Sequence, residues 1–83
     1  MQLVDVRNAG ELENGTIPGA RHIPLAELGR RSEELDPARP VVAFCAGGWR
    51  SSVATSLLRS RGFADVSDVL GGYAAWDAAH ASA

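Results

Sequence analysis

The run "PVVAFC", from Pro40 to Cys45, constrains the fold of this chain more than any other stretch. Its apolar residues are β-type and do not alternate with polar ones, so neither face is offered to water. It is bounded by a proline and by the glycine-rich "AGGW" turn, and it is too short for an ordinary helix. Such a segment suits a strand buried on both faces of a parallel sheet.

The flanking segments fit that sheet. "QLVDVR" (2–7) and "DVSDVL" (65–70) are short strand candidates, and a short extended piece falls near His22 and Ile23 within the turn-rich "TIPGARHIPL". "NAGELENG" forms a brief helix stopped at Gly15, and "AELGRRSEEL" a weak one. "RSSVATSLLRSRG" is the best helix, with Val53, Ala54, Leu57, Leu58 and Arg61 on one stripe. Arg59 and Arg61 suit its last turn and Gly62 its C-terminal cap. "GGYAAWDAAHA" is a terminal helix, with Tyr73 and Trp76 expected to pack it on the sheet, and "DAAHASA" is expected to fray. Strands alternating with helices predict an α/β fold: a small parallel sheet flanked by helices, one domain over residues 1–83.

Composition narrows the function. The 83 residues are 46% hydrophobic and 22% charged, as in a small globular domain. The net charge of −2 and pI near 5.5 give no overall field for nucleic acid or an anionic membrane. A single cysteine allows no internal disulfide, and a cytoplasmic setting is the default expectation. One cysteine and two dispersed histidines match no common zinc spacing, so no metal site is expected. No signal peptide is evident, and no apolar stretch approaches the roughly 18 residues of a membrane span.

The chemistry concentrates in "CAGGWRSS", Cys45 to Ser52. A buried strand ends at Phe44 or Cys45 and a helix starts near Arg50 or Ser51. Ligands of open α/β sheets bind at the carboxyl ends of strands. The glycine-rich turn lets successive N–H groups curl inward, and the helix adds its unpaired N–H groups and the positive end of its dipole. Together they form an anion cradle around a sulfur. Such a setting moves a cysteine pKa from about 8.5 into a range of roughly 3.5–7.5, which makes the thiolate nucleophile available. Arg50 supplies a fixed charge near a bound oxyanion. An inert packing cysteine would also fit after an apolar strand. The glycines, the arginine and the helix start together favour the nucleophile.

Other residues are weighed the same way. Trp49 either lines the substrate mouth or packs over the turn. Ser51 caps the helix or hydrogen-bonds the sulfur. His22 reads as structural or partly exposed and His80 as solvated, so no Cys–His dyad is proposed. Arg30, Arg31 and Arg39 alternate with Glu33, Glu34 and Asp36 as a solvated face.

These blocks resemble the rhodanese (sulfurtransferase) domain family over nearly the whole chain. "DVR" at Asp5–Arg7, Glu11, "GTIPGARHIP" at Gly15–Pro24, "CAGGWRSS", and "LGGYAAW" at Leu70–Trp76 follow the family's blocks in order. The "FCAGGWRSSVATSLLRSRGF" and "VLGGYAAW" segments look most like rhodanese domains fused to metallo-β-lactamase-fold enzymes, including persulfide dioxygenases. The resemblance implies that Cys45 accepts sulfur. It implies that Ala46, Gly47, Gly48, Trp49, Arg50 and Ser51 form the persulfide and anion cradle. Asp5 and Arg7 would support the loop, with Arg7 pairing Glu11. The implied partners are a small-molecule sulfur donor, a thiol acceptor, and a fused or separate metallo-hydrolase-fold enzyme; no cofactor is implied.

Two departures stand out. Thr16 replaces the family's usual histidine, which weakens any role for a base there. Family members also carry a helix and a strand before Asp-Val-Arg, so the chain reads as N-terminally truncated. Four residues separate Cys45 from Arg50, against five in the phosphatases and arsenate reductases of this fold. The shorter loop favours sulfur over phosphate chemistry. The alternative to an enzyme is a persulfide carrier or sensor serving a metal-dependent sulfur enzyme.

Overall fold

The computed structural model describes residues 1–47, 49–69 and 71–80. Its strands are β1 (Gln2–Asp5), β2 (Arg21–His22), β3 (Val41–Phe44) and β4 (Val66–Asp68). Its α-helices are α1 (Leu25–Arg31), α2 (Trp49–Ser60) and α3 (Gly72–His80). The strands form one parallel sheet in the order β2-β1-β3-β4. This is the predicted α/β class.

The sheet is built around the apolar run that the sequence singles out. In β3, Val41, Ala43 and Phe44 have no exposed surface, so both faces are covered. Strand β1 lies beside it in register, Val4 opposite Ala43 and Asp5 opposite Phe44. The next turn is a 3-10 helix, Ala9–Asn14, rather than an α-helix. It holds Gly15 at φ 109°, where a glycine is favoured. A second 3-10 turn, Ser32–Glu34, extends α1. Helices α1 and α2 pack against each other, with Leu28 and Leu58 fully buried. Burying each such leucine contributes about 1.5–3 kcal/mol of transfer free energy.

One helical expectation needs correction. The buried face of α2 is Ser51, Ala54, Thr55 and Leu58, while Val53 is 47% exposed and Arg61, beyond its end, is exposed. The helix begins at Trp49, and its start is fixed by the site. That rotation turns Ser51 and Thr55 inward and Val53 out. Among the described residues of α3 only Gly72 is buried; Tyr73 and Trp76 are half-buried and stack at 5.8 Å between ring centroids. Fraying is expected from the sequence over residues 77–83; of these, 77–80 continue α3, and 81–83 lie outside the described residues.

The order β2-β1-β3-β4 sets the position of the site. From β1 the chain moves to one side of the sheet, and from β3 to the other. Their carboxyl ends therefore open a crevice at the switch point. Asp5 closes β1 and Cys45 follows β3, so both stand at that crevice.

Candidate active site

Cys45 leaves β3 fully buried, with its sulfur facing the first turn of α2. The Ser51 backbone N–H donates to Sγ at 3.4 Å, and Sγ–H can donate to the Ser51 hydroxyl at 3.7 Å. A helix N-terminus leaves its first N–H groups without partners inside the helix, and here one is turned on the sulfur. This contact favours the thiolate.

The two carbonyls that follow the Cys45 Cα are held from α3. Tyr73 N–H donates to the Cys45 carbonyl at 2.6 Å, and Ala74 N–H to the Ala46 carbonyl at 3.2 Å. In a trans peptide the carbonyl and the next N–H point in opposite directions. The N–H groups of Ala46 and Gly47 therefore face away from α3. Gly72 makes the approach possible: a Cβ there would collide with the carbonyl oxygens of Cys45 and Ala46. Of the other loop positions named above, Gly47 is exposed and Trp49 is 70% exposed at the helix start, while Gly48 lies outside the described residues.

Arg50 stands beside the sulfur with its guanidinium on Glu11. Nη1 meets Oε1 at 2.6 Å and Nη2 meets Oε2 at 2.8 Å, a bidentate pair between α2 and the first 3-10 helix. Glu11 also accepts from the Asn8 N–H at 3.0 Å. The Arg50 hydrogen bonds, followed by that backbone bond, hold the Glu11 carboxyl down at about 2. Arg50 is raised in turn, first by Glu11 and to a smaller extent by the Cys45 sulfur. Two of its five N–H donors are committed to Glu11, and the pair carries no net charge. Much of the anion attraction in the loop must then come from backbone N–H groups.

Arg7 does not pair with the Glu11 carboxylate. Its guanidinium binds Asp5, Nη2 to Oδ2 at 2.8 Å and Nε to Oδ1 at 3.0 Å, and meets Glu11 only at its backbone carbonyl, at 3.3 Å. Residues two apart at a strand end share a face, which puts Asp5 within reach, while the 3-10 turn aims Glu11 at α2. Arg7 is only 3% exposed and lies between aromatic rings, 4.2 Å from the Tyr73 centroid and 5.8 Å from that of Phe44. It also donates to the Gly15 carbonyl at 2.8 Å. Burial works against the Asp5 charge, but bonds from Arg7 and Thr16 outweigh it and hold its pKa below the usual value. Asp5 and Arg7 thus form a buried ion pair at the end of β1.

Two residues of the site, Thr16 and Asp68, have no chemical role from the sequence, and a third, Glu11, is assigned there to Arg7. Thr16 donates to Asp5 Oδ2 at 2.7 Å, so a hydroxyl completes the carboxylate's shell where the family carries histidine. Glu11 faces Arg50. Asp68, at the end of β4, accepts from the Ser51 hydroxyl at 3.2 Å. Local sequence offers no signal for the last two, because both contacts cross between elements. His22 has Nε2 2.7 Å from the Arg7 carbonyl. Among the described residues, no group of three His, Cys, Asp or Glu side chains is placed to hold a metal ion, and no helix is long and apolar enough to cross a membrane.

Comparison with known proteins agrees with this fold. The rhodanese-like domain family matches residues 1–79. YqhL of Bacillus subtilis is 40% identical over 75 residues, covering 90% of this chain and 60% of YqhL. The thiosulfate sulfurtransferase GlpE of Coxiella burnetii is 33% identical over 78 residues, covering 94% of this chain and 73% of GlpE. The chain thus spans less than two thirds of YqhL. The crystal structure of the Rhodanese_3-like domain of the Alr3790 protein from Anabaena sp superposes with a TM-score of 0.88 at 38% identity. That superposition covers 96% of this chain and 93% of the Anabaena chain.

Proposed function

This chain belongs to the rhodanese-like domain family, and we propose that it moves sulfane sulfur through a persulfide on Cys45. The thiolate Sγ attacks the outer sulfur of thiosulfate or of a persulfide. The donor's S–S bond breaks, and sulfite or a thiolate leaves with the electron pair. The new S–S bond, about 2.05 Å long, carries the sulfur outward from Sγ. An acceptor thiolate, or cyanide in an assay, then attacks that outer sulfur and returns Cys45 as thiolate. The two half-reactions predict ping-pong kinetics.

The observation that carries this reading is the Ser51 N–H on the Cys45 sulfur at the start of α2. The Ser51 N–H, with the loop N–H groups that face away from α3, would stabilise the persulfide anion and the charge on the departing sulfite. Ala46, Gly47, Gly48, Trp49, Arg50 and Ser51 are the proposed cradle, with Asp5 and Arg7 supporting it. The four-residue spacing between Cys45 and Arg50 favours this over phosphate or arsenate chemistry. Incubation with thiosulfate should add the mass of one sulfur atom, and the Cys45→Ser variant should gain none. No adduct with either thiosulfate or glutathione persulfide would sink the proposal.

A second reading follows from the complete burial of Cys45 and the neutralised Arg50. Both features suit a carrier that loads sulfur and releases it only to a matched acceptor, including a fused or separate metallo-hydrolase-fold enzyme. Loading with negligible turnover to cyanide would favour that role.

A further inference from the structure

The hydrogen bonds at Cys45 continue beyond the loop. Sγ reaches the Ser51 hydroxyl at 3.7 Å, and that hydroxyl reaches Asp68 Oδ2 at 3.2 Å. Cys45 and Ser51 have no exposed surface, whereas Asp68 is exposed. The row therefore runs from a sealed sulfur to a carboxylate in water, across β3, α2 and β4.

We propose that Asp68 is a positioning residue that acts through Ser51 to set the pH at which Cys45 becomes a nucleophile. The chemistry is that of one hydroxyl between two acceptors. Around the thiol, Sγ–H donates to Ser51 Oγ while Oγ–H donates to Asp68, so every proton has a place. Around the thiolate, the sulfur needs the same hydroxyl proton that the carboxylate holds. Asp68 withholds it and adds a negative charge of its own. Both effects favour the thiol.

The remaining groups around the sulfur pull in several directions. The Ser51 N–H and the Arg50 guanidinium favour the thiolate. Glu11 from the first 3-10 helix neutralises much of the Arg50 charge. Asp5 and Arg7 at the end of β1 are paired with each other. Tyr73 of α3 meets Cys45 through its backbone N–H. Asp68 is the carboxylate that meets the sulfur through the Ser51 hydroxyl.

This proposal rests on Cys45 being the working nucleophile, but its test needs only a thiol. The rate of iodoacetamide alkylation of the folded chain is followed against pH. Asp68→Asn removes the charge and lets an amide N–H donate to Ser51 Oγ, which frees the hydroxyl proton for the sulfur. The midpoint should fall by about one pH unit, so alkylation below the wild-type midpoint should be about tenfold faster. Asp68→Glu should bring the midpoint back towards wild type. In a Ser51→Ala background, Asp68→Asn should move the midpoint far less.

An unchanged midpoint in Asp68→Asn would overturn the proposal, even if the melting temperature fell. So would a shift of equal size in the Ser51→Ala background, because Asp68 would then act by charge alone. Sulfur loading by mass is read separately, so failure of the sulfurtransferase reading leaves a distinct signature.

Discussion

Arg7 and Arg50 are the two arginines nearest the site, and each is taken by a carboxylate with a different result. Arg50 meets Glu11 near the surface, at 19% and 32% side-chain exposure. Solvent screens such a pair, so its effect is better read from pH than from a fixed energy. Glu11 has its pKa depressed from 4.5 to about 2 in the folded state. For a depressed acid, the contribution to stability is full above the unfolded value and lost as pH falls through the folded one. Glu11→Gln should therefore lower the urea midpoint at about pH 7, and the gap to wild type should close between pH 4.5 and about 2. An equal gap at every pH in a urea titration series would show that Glu11 acts through packing instead.

At the scale of elements, α2 shows how a site can overrule a hydrophobic stripe. Its sequence places Val53 with Leu57 and Leu58. The helix is instead turned so that Ser51 faces the sulfur, and Val53 faces solvent. Leu58→Ala should cost about 2–5 kcal/mol, because it opens a cavity between α1, α2 and the sheet. Val53→Ser should change stability by no more than about 0.5 kcal/mol. Chemical denaturation of the two variants checks the assignment, and a large loss at Val53 would restore the stripe. Helix α3 makes a related point. Its first turn is legible as Gly-Gly in the sequence, but its task is to grip the carbonyls of Cys45 and Ala46.

For the whole molecule, the buried Asp5–Arg7 pair joins parts that the chain keeps apart. Arg7 contacts the end of β1, the Gly15 carbonyl, the Phe44 ring of β3 and the Tyr73 ring of α3. A chain of 83 residues has a thin core, so such a tie weighs heavily. Arg7→Met would leave Asp5 buried without its cation and should cost about 3–5 kcal/mol. A loss below about 1 kcal/mol by urea unfolding would mean that the pair adds nothing beyond its desolvation cost.

The same view separates what was legible in the sequence from what was not. The buried strand, the strand–helix alternation, the cysteine at their junction and the glycine-rich loop were legible, because period, turn chemistry and loop length are local properties. The Arg7–Asp5 pair is nearly local too, yet the sequence reading gave Arg7 to Glu11. The Arg50–Glu11 pair spans 39 positions and the Ser51–Asp68 bond 17. Those distances close only when β1, β3 and β4 lie side by side in one register and α2 takes one rotation about its axis. The sequence by itself determined which sulfur the loop would cradle. Only the tertiary structure decided which charges stand beside it, because packing the sheet and helices sets what each polar side chain can reach.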